Sequence, residues 1–271
     1  MERTEVLDMM SGLKLFGMKA AYDETLATAL KRKYEPQRFV GDLLKAEISE
    51  KQARSIRYQL TVAKLPLAKD VDDFAFKDTP INEALVRDLV GGGFLAQQRN
   101  VVLVGGTGTG KTGIAIGILR EACLNGHRGR FYDAQDLLDE LYASLADRST
   151  SRLLKRLSRL QPLVIDKVDN LNVKPEQANA FFRLIDQRYN RVSTIITTAL
   201  ELDDWYELFG TKHLVDALLD RLRHRCISIN IDGPSLRTPE AQAASPGHKP
   251  PAVRQQSRRG AAEGARVGGQ P

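Results

Sequence analysis

The feature that most constrains the fold of this 271-residue chain is a glycine-rich segment at residues 105–112. It reads Gly-Gly-Thr-Gly-Thr-Gly-Lys-Thr and fits the pattern G-x-x-x-x-G-K-[ST] at every fixed position. An apolar run at residues 101–104 precedes it, and a helical pattern from Ile114 to Leu124 follows it. A loop of this composition between a strand and a helix predicts an α/β fold built around a phosphate-binding loop.

The residue types in this segment account for the chemistry that it predicts. Glycines let consecutive backbone N–H groups turn toward phosphate oxygens, and the helix that follows adds the positive end of its dipole. Lys111 would contact the β- and γ-phosphates, and the Thr112 hydroxyl would be a ligand for Mg²⁺. We therefore expect ATP and Mg²⁺ as cofactors, with nucleotide-binding residues Gly105, Gly106, Thr107, Gly108, Thr109, Gly110, Lys111, Thr112 and Gly113.

A second candidate for the same site is Asp166, which ends an apolar run at residues 163–166. The carboxyl ends of parallel strands meet at the edge where ligands bind, so Asp166 is expected to be a second Mg²⁺ ligand and a catalytic residue. Thr197 and Thr198 end another apolar run. They could contact the γ-phosphate or the attacking water, with Thr198 as the candidate catalytic residue, or they could be ordinary strand-end threonines.

Five β-rich runs alternate with helical patterns after residue 100, which predicts a parallel sheet flanked by helices. The N-terminal part reads as helical, with Pro36 opening a long helix. After Arg237 the composition becomes rich in Pro, Gly, Ala and Arg, which is typical of disorder. The predicted organisation is a helical DNA- or partner-binding domain at 1–75, an ATPase domain at 76–237 and a disordered basic tail at 238–271.

The distribution of charge gives the first indication of nucleic acid. The net charge is +6, and residues 31–64 contain nine Lys or Arg against four Asp or Glu. Residues 148–159 contain five basic residues and no acid. Such clusters suit a surface that follows phosphates, although solvated helix faces are the other interpretation.

Targeting and redox features favour a cytoplasmic protein. The N-terminus lacks the apolar region of a signal peptide, and no apolar run approaches the roughly 18 residues of a membrane span, so we expect no membrane partner. Cys123 and Cys226 have no C-x-x-C partner and are interpreted as reduced core residues.

Three further segments, together with the glycine-rich loop, carry a family resemblance. Residues 205–210 read W-x-x-x-F-G, residues 217–222 contain Asp220-Arg221-Leu222, and residues 233–237 read G-x-S-x-R. With these motifs, residues 5–237 resemble the IstB-like ATP-binding proteins. Those are AAA+ helper ATPases of transposition, related to DnaC-type helicase loaders and to DnaA.

The resemblance implies properties that composition does not show. Family members assemble as homo-oligomers on duplex DNA when ATP is bound, and they deliver target DNA to a transposase. Arg221 would act on the nucleotide of a neighbouring subunit, whereas from spacing alone it is a basic helix end favoured by the helix dipole. Arg237 would be a second arginine that senses the nucleotide or the subunit interface.

The chain departs from the family pattern at three positions. Lys167 replaces the usual second acid after Asp166, Ala199 replaces a sensor Asn, and Thr211 replaces an Asp. A protonated lysine has no acceptor for the attacking water, so we expect ATP to be bound well and hydrolysed slowly. The alternatives to a transposition helper are a replicative helicase loader and, with less support, a P-loop kinase.

Overall fold

A computed structural model of the chain describes residues 2–66, 71–72, 74, 76–79, 81–169, 171–210, 212–233 and 235–236. The part up to Leu236 forms one compact unit. Arg237, Thr211 and the tail at 238–271 lie outside the described residues, and the domain boundary expected at residue 75 stays a prediction. Within the described residues, no helix is both long enough and apolar enough to cross a bilayer.

Three helices form the N-terminal part: α1 (Arg3–Gly12), α2 (Phe16–Arg32) and α3 (Pro36–Ala63). Pro36 occupies the first turn of α3, where its fixed φ and missing N–H are tolerated. Glu47 of α3 accepts hydrogen bonds from the backbone N–H groups of Gly17 and Met18, at 2.8 and 3.1 Å. These bonds satisfy donors that the start of α2 would otherwise leave without partners, and they hold α2 against α3.

A parallel five-stranded sheet is the centre of the fold, as the alternating pattern predicted. The strands are β1 (Asn100–Gly105), β2 (Arg130–Asp133), β3 (Leu163–Asp166), β4 (Thr194–Thr198) and β5 (Cys226–Ile231). Their order in the sheet is β2-β3-β4-β1-β5. The middle strands are buried almost throughout, and apolar or β-branched residues therefore make up most of their sequences.

Helices cover both faces of the sheet. A 3-10 turn at Phe76–Asp78 precedes them, and a second one, Leu202–Asp204, follows β4. The helices are α4 (Glu83–Val90), α5 (Gly93–Ala96), α6 (Lys111–Leu124), α7 (Ala134–Ala146), α8 (Thr150–Leu157), α9 (Pro175–Arg188), α10 (Trp205–Phe209) and α11 (Lys212–Arg223). In the region of α8, the helical pattern of the sequence predicts a helix over residues 151–160. α8 ends three residues earlier, where the Leu157 and Leu160 carbonyl oxygens accept from Arg188. The Gln161 N–H donates to the Arg128 carbonyl at 2.8 Å instead of continuing the helix.

One buried cation joins α8 to the sheet. Arg188, at the end of α9, is 1% exposed and donates to the carbonyl oxygens of Leu157, Leu160 and Ser193 at 2.6, 2.9 and 2.6 Å. It also donates to the Thr194 hydroxyl at 2.9 Å. Burial lowers the pKa of Arg188 to about 9, so the guanidinium is still protonated at neutral pH. These bonds fix the end of α8 relative to the start of β4.

Candidate nucleotide-binding site

The glycine-rich loop connects β1 to α6, as the motif predicted. Residues 105–110 form the turn, and Lys111, Thr112 and Gly113 open the helix. Gly108 and Gly110 have φ values of 86° and 96°, a region that favours glycine. A Cβ at Gly108 would lie 2.1 Å from the Ser235 hydroxyl oxygen, so neighbouring chain also excludes a side chain there.

Lys111 lies over the loop. Its ammonium donates to the carbonyl oxygens of Gly105 and Gly106 at 2.5 and 2.7 Å. The Thr109 hydroxyl donates to the Gly106 carbonyl at 2.9 Å and closes the turn. The positive charge is therefore held at the start of α6, where the helix dipole also favours an anion.

Asp166 is the point at which three elements of the site meet. Its Oδ1 accepts from the Thr112 hydroxyl of α6 at 2.8 Å and from the Thr197 hydroxyl of β4 at 2.5 Å. The side chain is almost completely buried, at 1% exposure. Burial raises the pKa of Asp166, while the hydrogen bonds from Thr197 and Thr112 act in the opposite direction.

The donor set suits Mg²⁺. This ion is typically held by one or two carboxylates together with phosphate oxygens and several waters, rather than by a cage of protein ligands. Thr112 and Asp166 bring one hydroxyl and one carboxylate together at 2.8 Å. No group of three or more His, Cys, Asp or Glu suited to a metal ion occurs within the described part of the chain.

The two threonines that end β4 have different surroundings. Thr197 contacts Asp166, whereas the Thr198 hydroxyl donates to the carbonyl of Leu200 at 3.1 Å and accepts from its N–H at 3.0 Å. Thr198 is completely buried. The catalytic role assigned to Thr198 stays a prediction, and Thr197 is the threonine that touches the predicted metal ligand.

Asp133 is a site residue that sequence reasoning missed. It ends β2 and lies opposite Asp166 in the β2–β3 register. Its Oδ2 accepts from the Lys167 ammonium at 3.1 Å. Asp169 is the next acid along the chain after Lys167. Its Oδ1 accepts from the backbone N–H of Ala199 at 2.9 Å. An acid directly after a predicted β-rich run was the available signal for Asp133.

Segments that precede and follow the sheet in the sequence both contact the glycine-rich loop. The Leu236 N–H donates to the Gly108 carbonyl at 2.9 Å, so the closing G-x-S-x-R segment reaches the glycine-rich turn. The Phe74 ring lies against Gly110, where a Cβ would be 2.6 Å from it. Arg237 follows directly in sequence but lies outside the described residues.

Arg221 lies on α11 and forms an ion pair with Asp186 of α9, with 2.7 Å between Nε and Oδ1. It also donates to the Ala217 carbonyl at 2.8 Å. The side chain is 36% exposed, so it is accessible from solvent. The action of Arg221 on the nucleotide of a neighbouring subunit stays a prediction.

The parallel sheet, the glycine-rich loop and the Asp166 strand define a P-loop protein of the AAA+ type. A DnaC helicase loader has the same fold, with a TM-score of 0.51 and 24% identity over 62% of this chain and 99% of that one. The family model for IstB-like ATP binding protein matches residues 9–244. The chain therefore belongs to the IstB-like ATP-binding protein family.

Relatives from two bacteria extend this match over most of the chain. An ATP-binding protein of insertion sequence IS21 from Pseudomonas aeruginosa is 34% identical over 245 residues, covering 90% of this chain and 92% of the relative. An ATP-binding protein of insertion sequence IS5376 from Geobacillus stearothermophilus is 35% identical over 203 residues, covering 74% and 81%.

Proposed function

We propose that this chain is a cytoplasmic ATP-binding protein that assembles as a homo-oligomer on duplex target DNA and assists a transposase in DNA transposition. The family and the insertion-sequence origin of its relatives support this function. The observation that carries the nucleotide-dependent part is the contact between Thr112 and Asp166, which joins the glycine-rich loop to the end of β3.

Each residue of the site then has a role with bound nucleotide. Backbone N–H groups of the loop and the start of α6 bind phosphate oxygens, and Lys111 moves its ammonium from the loop carbonyls to the β- and γ-phosphates. Thr112 and Asp166 would hold Mg²⁺, which would neutralise charge on the phosphates. Thr197 orients Asp166 from the side of β4.

The cluster at residues 148–159 is the better supported of the two basic surfaces for DNA. Its five basic residues are exposed, while Leu153, Leu154 and Leu157 of α8 are buried in the core. The helix is therefore held on the core by its apolar face and presents its basic face to solvent. The exposed basic residues are Arg148, Arg152, Lys155, Arg156 and Arg159.

The basic residues of α3 give a weaker net positive charge than the cluster at residues 148–159. Three of the five Lys and Arg residues of α3 form ion pairs within the same helix, whereas in the cluster at residues 148–159 Arg156 pairs with Glu140. The pairs within α3 are Lys45–Asp42, Lys51–Glu47 and Arg54–Glu50. Because phosphate binding is a long-range charge effect, we expect α3 to contribute less to DNA affinity than α8.

Titration of random-sequence duplex DNA at several salt concentrations, with Mg²⁺ and ATP present, tests this function. Arg152→Gln/Lys155→Gln should weaken binding to all sequences alike. It should also reduce the slope of log affinity against log salt by about two, since each phosphate contact contributes about 0.9. The matched double substitution Lys45→Gln/Lys51→Gln on α3 should have a smaller effect. Absence of DNA binding by the wild-type protein at low salt would reject the proposal.

A further inference from the structure

The backbone of Lys167 is fixed beside the candidate metal ligands. Its N–H donates to the Thr197 hydroxyl at 2.9 Å, and the same hydroxyl donates to Asp166. Its φ of 62° lies in the left-handed region, which is uncommon for a lysine. The start of the side chain is therefore held at the edge of the sheet where the phosphates of a bound nucleotide would lie. The side chain itself is 52% exposed, so its long stem has room to reorient.

Asp133 is fixed at the neighbouring strand end. Its Oδ1 accepts from the Gln135 N–H at 3.1 Å and caps α7, and its Oδ2 accepts from Lys167 at 3.1 Å. The register pairs Asp133 with Asp166, so the two carboxylates lie on adjacent strands with Lys167 next to both. Lys167 is thus a cation poised between Asp133 and the site of the phosphates.

We propose that Asp133 is a positioning residue, and that the Lys167 ammonium exchanges between Asp133 and the γ-phosphate of bound ATP. This inference rests on the proposed ATP-binding role of the loop. A partly exposed ion pair contributes little to stability, whereas an ammonium–phosphate bond in a less solvated site is stronger. Lys167 would therefore leave Asp133 for the γ-phosphate when ATP is bound. ADP has no γ-phosphate, so Lys167 stays on Asp133. The exchange lets the protein distinguish ATP from ADP without hydrolysis.

Calorimetric binding of Mg²⁺ with a non-hydrolysable ATP analogue, and of Mg²⁺ with ADP, tests the exchange. Lys167→Met should lower the preference for the ATP analogue over ADP about tenfold, through weaker binding of the analogue alone. Asp133→Asn should strengthen binding of the analogue about two- to fivefold, because it removes a carboxylate that competes for the Lys167 ammonium. In the Lys167→Met background, Asp133→Asn should have no further effect, since Asp133 acts through Lys167.

Matched controls separate this exchange from a general change in charge or fold. Asp136→Asn removes an exposed carboxylate from the first turn of α7, and Lys212→Met removes an exposed lysine from α11; both should leave the preference unchanged. Lys167→Arg keeps a cation and should retain most of the preference. If Lys167→Met fails to fold by circular dichroism, Lys167→Gln replaces it.

These measurements separate failure of the Lys167 exchange from failure of ATP binding. An unchanged ATP-over-ADP preference in folded Lys167→Met or Lys167→Gln, with both nucleotides still bound, would overturn the exchange alone. A wild-type protein that binds neither nucleotide would reject the ATP-binding role as well.

Discussion

The Thr197 hydroxyl donates a 2.5 Å hydrogen bond to Asp166 Oδ1, the same oxygen that accepts from Thr112 at 2.8 Å. One buried carboxylate oxygen thus connects β3, β4 and the first turn of α6. Thr197→Val keeps the branched shape and removes the hydroxyl. Because a hydrogen bond to a charged group contributes about 1.5–3 kcal/mol, we expect affinity for ATP with Mg²⁺ to fall at least tenfold, measured by calorimetry.

The adjacent threonine provides the comparison. Thr198 bonds to the backbone of Leu200, so Thr198→Val should reduce nucleotide affinity less than Thr197→Val does. A larger loss for Thr198→Val, in protein that melts as the wild type does, would return the role to Thr198 and contradict the geometry of Asp166.

Lys167 is expected to make hydrolysis slow. A carboxylate at this position would orient and polarise the attacking water, and general acid–base help is worth about 10²–10⁴-fold. Lys167→Glu should therefore raise phosphate release with saturating ATP and DNA by at least about tenfold.

Asp133 should also affect turnover by the Lys167→Glu variant. The introduced carboxylate would face Asp133, which lies 3.1 Å from the lysine nitrogen in the present chain. Lys167→Glu/Asp133→Asn removes this repulsion and should turn over faster than Lys167→Glu alone. Brisk turnover by the wild-type chain, unchanged in both variants, would show that the catalytic acid lies elsewhere.

Arg221 is expected to act between subunits. Its ion pair with Asp186 is partly exposed and contributes little to stability, so Arg221→Ala should fold normally and keep nearly full ATP affinity as a monomer. ATP-dependent assembly, followed by light scattering, and any turnover should both decrease.

Arg223→Ala is the matched control for Arg221. Arg223 lies on the same helix and forms an exposed ion pair with Asp203, yet the resemblance assigns it no role. The Arg223→Ala variant should show the same ATP-dependent assembly as the wild type. If Arg221→Ala also assembles and turns over as the wild type does, the proposed role across the interface is wrong.

Much of the fold was predictable because local patterns and tertiary structure agree. The five strands fall in β-rich runs of the sequence, and the helical pattern from Ile114 to Leu124 lies within α6, Lys111–Leu124. The glycine-rich loop was recognisable because each fixed position has a backbone or charge requirement. The position of Asp166 beside the loop was predictable because a buried parallel strand brings its last side chain to the same edge of the sheet as the turn after β1.

Other features depend on contacts between distant segments, which a single sequence does not display. Asp133 reaches Lys167 only because β2 pairs with β3 in one particular register. Arg188 looks like a solvated basic residue in the sequence, yet the carbonyl oxygens of Leu157 and Ser193 make its burial possible. The distinction between Thr197 and Thr198 depends on which face of β4 points toward Asp166.

Control of DNA binding by ATP at the glycine-rich loop is the central claim, and fluorescence anisotropy of labelled duplex DNA tests it most directly. The wild-type protein should bind more tightly with Mg²⁺ and ATP than without nucleotide. Lys111→Ala, which removes the ammonium that lies over the loop, should lose this gain while keeping its nucleotide-free affinity. Equal affinity of the wild type with and without ATP, or an undiminished gain in folded Lys111→Ala, would contradict the account.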